Sequence, residues 1–268
     1  MKITVLHRAR DRGLRVLVVC ATVLLLAGAT QRVALANGPE IGMDAGGVFP
    51  LESSDIALES EFVTVHLGGY WTTHVECQYT LRNLTDDHQT ITMAFVTNTD
   101  WKSGVSEGPF TERTGFQVLV VARERRAVPV RMVGVDKSRW RGVLPSPPDS
   151  LPAWDVSFRP RGKVTLQISY DASWSGGCGG PDCTYWMRYI AKPARLWAGS
   201  IGHASITFEF DPLTRVLMRC NPDFIECLKL SAKPEGFVQS PRGFTWKLRD
   251  WEPDENFEVR AEWSEVPR

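Results

Sequence analysis

The sequence predicts an all-β protein, an antiparallel β-sandwich built as two abutting sandwich domains behind an export signal. Three observations lead there. Apolar and polar residues alternate with period two in stretch after stretch, the pattern of a strand with one buried face. Turn-forming clusters separate these stretches: RPRGK at Arg159–Lys163, SPRG at Ser240–Gly243 and EPDEN at Glu252–Asn256. Beyond residue 36 no stretch carries an apolar stripe at helical spacing.

The chain opens on Lys2, Arg8, Arg10, Arg12 and Arg15 against Asp11 alone, followed by the apolar run Val16–Ala29. Ala34 and Ala36 give the small-residue spacing of a signal-peptidase site, so residues 1–36 read as a Sec-type signal peptide cleaved after Ala36. The apolar run is shorter than the roughly 20 residues of a spanning helix. Val19 is too bulky before Cys20 for a lipoprotein signal, and no arginine pair precedes the run. The expected location is secreted or periplasmic, with no integral membrane segment after cleavage. Residues 1–36 hold six of the 31 basic residues and one of the 31 acids, so the remainder carries a net charge near −5. An acidic chain without a basic stripe argues against nucleic acid and anionic surfaces.

Residues 37–57 are Gly-rich and read as an arm leading to the first strand. Val63, Val65 and Leu67 then alternate with Thr64 and His66. Val75, Cys77, Tyr79 and Leu81 alternate with Glu76, Gln78, Thr80 and Arg82, and Asn83, Asp86 and Asp87 end that strand. Phe116–Val135 reads as a hairpin with Arg123–Arg126 at its tip, where Pro129 suits an edge. Pro-rich Val143–Trp154 is expected as loop or edge. Val164, Leu166, Ile168 and Tyr170 mark the next strand. Ser173–Cys183 (SWSGGCGGPDC) is the densest glycine stretch and the expected boundary between domains at 58–175 and 183–268. Ile206, Phe208 and Phe210, then Phe244, Trp246 and Leu248, then Phe257, Val259, Ala261 and Trp263 mark strands beyond it.

Glu61 to Ala172 resembles a VIT (vault protein/inter-alpha-trypsin inhibitor) domain. The likeness rests on FVTVHLGG, HVECQYTLRNLTDD, TITMAFVTN, the hairpin GFQVLVVARERRAVPVR and GKVTLQISYDA. The apolar proline motif usual after the third strand of that domain is replaced here by FVTNTD. Over most of the chain beyond residue 36, SDIALESEFVTV, YTLRNLTDD, MAF and WAGSIGHASITF are similar to an uncharacterised family of exported bacterial all-β proteins. The VIT resemblance implies a binding or structural module, the exported family implies the fold and the compartment, and neither brings catalytic residues.

Five cysteines follow residue 36. Outside the cytoplasm disulfides are the default, and local bridges Cys178–Cys183 and Cys220–Cys227 are the favoured pairing. Cross-pairing of the four, or a four-cysteine zinc site, are the alternatives. Cys77 falls on an apolar strand face and is expected as a buried free thiol. His66, His74, His88 and His203 form no metal-binding motif in sequence. No nucleophile elbow or phosphate loop occurs, so no catalytic residue, cofactor or metal is expected. Trp101 and Trp140 sit near turns and are the candidate binding aromatics. The NLT at Asn83–Thr85 is a glycosylation acceptor only in a secreting eukaryote. The expected function is a non-catalytic binding or structural module of the cell envelope or extracellular space, whose partner is a protein or an envelope polymer. The alternatives are a hydrolase of envelope polysaccharide or peptide and, more weakly, a cysteine-based redox or zinc protein.

Overall fold

The computed structural model describes residues 45–52, 55–68, 72–96, 115–121, 125–134, 149–179, 182–211 and 229–264. Ala36, Trp101, Trp140, Cys220 and Cys227 lie outside them. The described residues form strands and one 3-10 turn. First come β1 (Ala45–Gly46), β2 (Val48–Pro50), β3 (Ile56–Leu67), β4 (Thr72–Asn83) and β5 (Gln89–Phe95). β6 (Gln117–Val121), β7 (Arg125–Ala127) and β8 (Arg131–Gly134) follow, then β9 (Ser150–Phe158), β10 (Lys163–Ser173), β11 (Ser175–Gly179) and β12 (Asp182–Ile190). After the 3-10 turn Lys192–Leu196 come β13 (Ile201–Phe210), β14 (Lys229–Lys233), β15 (Val238–Ser240), β16 (Gly243–Trp251) and β17 (Phe257–Ser264).

These strands make three sheets. The largest has eight strands in the order β15-β16-β13-β3-β4-β10-β6-β7. A second runs β1-β12-β17-β14, with β11 beside β12, and a third runs β2-β5-β9-β8. The ladders are antiparallel except for β13 on β3 and β1 on β12, which run parallel.

Both smaller sheets pack on one face of the large one. Period-two alternation points Val75, Cys77, Tyr79 and Leu81 of β4 to that face, in register with Ile168 and Leu166 of β10 and Val63 and Val65 of β3. Phe95 of the third sheet meets Tyr170 of β10 edge-on at 4.9 Å between ring centroids, and Phe257 of the second sheet meets Trp246 of β16 at 5.1 Å. A single apolar cluster joins residues of all three sheets. A smaller one gathers Phe49, Ala94, Val96, Leu151, Ala153 and Ile190. The result is the expected sandwich, with one broad layer facing two narrow ones.

Two local expectations take a different form. The Gly-rich arm supplies β1 and β2, which add to two different sheets. In Val143–Trp154, expected as loop or edge, residues 150–154 belong to β9, and residues 150–152 have a strand partner on one side only. β5 pairs β9 only as far as Ala153, so Pro152 faces β8 alone and its missing N–H interrupts no ladder on the β5 side. β6 pairs β7 as in the expected hairpin, but Arg125 and Arg126 lie within β7 rather than at a tip, residues 122–124 lie outside the described residues, and β8 crosses to the third sheet. The expected boundary at Ser173–Cys183 separates β10 from β12 in sequence, yet β13 and β16 return to the sheet of β3 and β4. Residues 40–268 make one compact unit.

Candidate functional site

The outer face of the eight-stranded sheet carries the polar half of each alternation, and strand register sorts it into rows. One row crosses Phe62 of β3, Gln78 of β4, Gln167 of β10 and Leu119 of β6. The next crosses Thr207, Thr64, Glu76 and Ser169, and the one beyond it Glu209, His66, His74 and Asp171. Gln167 Nε2 donates to Gln78 Oε1 at 3.4 Å. A groove of about 400 Å³ opens over these rows, with Phe62, Gln78 and Gln167 in its wall, Glu76 on one side and Arg125 of β7 on another. Phe62 is 46% exposed, a large apolar ring left in a polar surface. Arg125 has no acidic partner among the described residues.

His66 and His74 stand eight positions apart in sequence, but pairing of β3 with β4 sets them directly opposite, ring centroids 6.4 Å apart. His74 Nδ1 lies 2.7 Å from Asp171 Oδ1, and His66 Nδ1 lies 3.6 Å from Glu209 Oε2. Glu76 stands 3.4 Å from His66 Nε2 and 4.0 Å from His74 Nε2. Among the described residues no set of three or more His, Cys, Asp or Glu is arranged to hold a metal ion.

The opposite face of the same strands hides a second polar group. A bulge between Leu58 and Ser60 shifts the phase of β3, so Glu61 shares the buried face with Ile56 and Leu58 before it and Val63 after it. The Tyr189 hydroxyl of β12 donates to Glu61 Oε1. Tyr79 donates in turn to Tyr189 at 3.1 Å. Glu61 Oε2 is buried with no hydrogen-bond partner. Burial pushes the Glu61 carboxyl up to about 7, against the pull of the Tyr189 hydroxyl. Glu61 precedes Val63 by two residues, so its parity with Val63, Val65 and Leu67 was the signal for its placement.

Cys77 is buried on that face, as expected, and is the free cysteine among the described residues. Burial pushes its thiol up to about 12, which keeps it protonated and unreactive. Cys178 and Cys183 are directly paired across β11 and β12. Asn83 is fully buried: Nδ2 donates to the carbonyls of Asp87 and Arg159, and Oδ1 accepts from the Thr85 amide. It closes a turn and is no glycan acceptor in the folded chain. Trp154, Trp174, Trp197 and Trp246 are core residues, with Trp197 Nε1 donating to the Val48 carbonyl. The aromatic that the sequence reading passed over is Phe62, whose parity with Thr64 and His66 already put it outside.

No protein-family model matches the chain, and no curated protein matches it. Among solved structures, a candidate nutrient-binding protein of Legionella pneumophila superposes with a TM-score of 0.61, over 83% of this chain and 71% of its own, at 19% identity. The likeness is one of fold. An M1 zinc metallopeptidase of Deinococcus radiodurans aligns over 77% of this chain and 42% of its own, at 8% identity and a TM-score of 0.36, too low to argue from.

Proposed function

We propose that this chain is an exported, non-catalytic binding module that holds its ligand in the groove on the outer face of the eight-stranded sheet. The observation that carries the reading is Phe62, exposed at the centre of a polar face and walled by Gln78 and Gln167. A groove of about 400 Å³ falls within the roughly 300–1,000 Å³ of small-ligand sites. The Legionella pneumophila protein of the same fold is a candidate nutrient binder, and a small-ligand role suits this face. The basic, apolar and small-residue segments of residues 1–36 support export. Export in turn favours a Cys178–Cys183 bridge, because antiparallel partners lie about 4.5–5.5 Å apart at Cα, inside the disulfide range.

The test is a set of amide spectra of the ¹⁵N-labelled protein, recorded with a mixture of sugars, amino acids and short peptides at millimolar concentration. Shifts clustered at Phe62, Gln78 and Gln167, and lost in Phe62→Lys, are the expected result. Shifts confined to other surfaces, or none, would remove the groove from consideration.

A further inference from the structure

We infer that the groove takes a short zwitterionic peptide, its carboxylate on Arg125 and its ammonium group on Glu76; this rests on the outer face being the binding site. Charge complementarity carries the inference. Arg125 lines the groove with no acid to pair it among the described residues, and a guanidinium so placed is a fork for a carboxylate. Glu76 lines the groove too, and its partners among the described residues are the imidazoles of His66 and His74. A neutral saccharide would leave both charges unused, and a multiply charged anion would meet one cation and one carboxylate.

The spacing fits a peptide. Glu76 stands on β4 and Arg125 on β7, three strands across the sheet, and Arg125 is level with Thr80 through Val121 and Thr165, four residues along β4 from Glu76; at about 4.8 Å per strand and about 3.3 Å per residue the backbones lie roughly 20 Å apart. Both long side chains line the groove, which narrows the gap a ligand must span. Two to three extended residues span about 7–10 Å at about 3.3 Å each. Between the charges lie Gln78 and Gln167, whose amides use one donor and one acceptor on each other and keep the rest for peptide groups. Phe62 offers its ring to an apolar side chain of the ligand.

Titration calorimetry with Gly-Phe-Gly, its N-acetylated and C-amidated forms, and maltotriose tests this. The free tripeptide should bind, and blocking either terminus should weaken it tenfold or more. Arg125→Gln should erase the difference between free and amidated peptide, and Glu76→Gln that between free and acetylated peptide. Both side chains are exposed, so melting temperatures should not move. Equal binding of all three peptides, no binding of Gly-Phe-Gly, or preference for maltotriose overturns the peptide assignment. Maltotriose shifts at Phe62 and Gln78 amides would then leave the groove reading standing, whereas no shift there with any probe would end both.

Discussion

A carboxyl group sealed between two sheets, with one oxygen unpartnered, keeps its proton to higher pH than it would in water. For Glu61 the ordinary value of 4.5 rises to about 7 through burial. Between those values the folded chain holds a proton that the unfolded chain has lost. Stability is therefore full below 4.5, falls as pH climbs through the window, and levels off above 7. At about 1.4 kcal/mol per pH unit the loss is on the order of 3 kcal/mol. Glu61→Gln keeps an acceptor for Tyr189 and cannot ionise, so its urea-unfolding free energy should stay flatter from pH 4.5 to 7.5 than that of the parent. Identical slopes would mean that Glu61 is solvated. The neighbouring Cys77 gives a second reading of the same interior. Iodoacetamide at pH 8 should leave it unmodified in the native protein and alkylate it in denaturant, whereas native labelling would contradict its burial.

At the scale of elements, backbone approach decides what side chains cannot. β1 is two residues long, and a Cβ on Gly46 would lie 1.4 Å from the Val96 carbonyl oxygen. The Gly46 amide also donates to the Tyr170 hydroxyl at 2.7 Å, tying β1 to the eight-stranded sheet. Gly46→Ala should cost about 3 kcal/mol or more, since the strand must leave its place. Gly134→Ala, with nothing within 4 Å of its Cβ, should change the melting temperature little. Equal effects would show that β1 tolerates displacement. The long strands β3, β4, β10 and β13 were legible because alternation is local, and the inward face of Cys77 and the turns at Arg159–Lys163 and Ser240–Gly243 came with it. Short β1 and β2, set in the Gly-rich arm, were not, because their identity comes from the partners they join. The His66–His74 pair was illegible for a related reason: its register is fixed by every other pair along the β3–β4 ladder. Phe62 and Glu61 were legible in phase, yet an exposed aromatic and a buried acid both run against composition-based expectation.

For the whole molecule, the consequential contact is the parallel ladder that lays β13 along β3. Sequence proximity favours pairing between neighbours, so a glycine-dense stretch at Ser173–Cys183 looks like a place to divide the chain. The ladder instead puts Ile206 against Val63 and Phe208 against Val65, and β16 adds Trp246 and Phe244 on the same buried face. Tyr189 of β12 reaches Glu61 and Tyr79 from the facing sheet. A fragment of residues 37–175 would keep β3, β4 and β10 with the third sheet over part of them, but lose β13 and β16 beside β3 and β12 and β17 over the rest of that face. Val63, Val65 and Tyr79 would then face water, and the exposed β3 edge would invite association. Such a fragment should be unfolded or aggregated by circular dichroism and light scattering. The protein from residue 37 to 268 should melt in one transition, with calorimetric and van't Hoff enthalpies in agreement. Two resolved transitions, or a soluble 37–175 fragment with dispersed amide spectra, would show that the two halves fold independently, each burying its own core without the β13–β3 ladder.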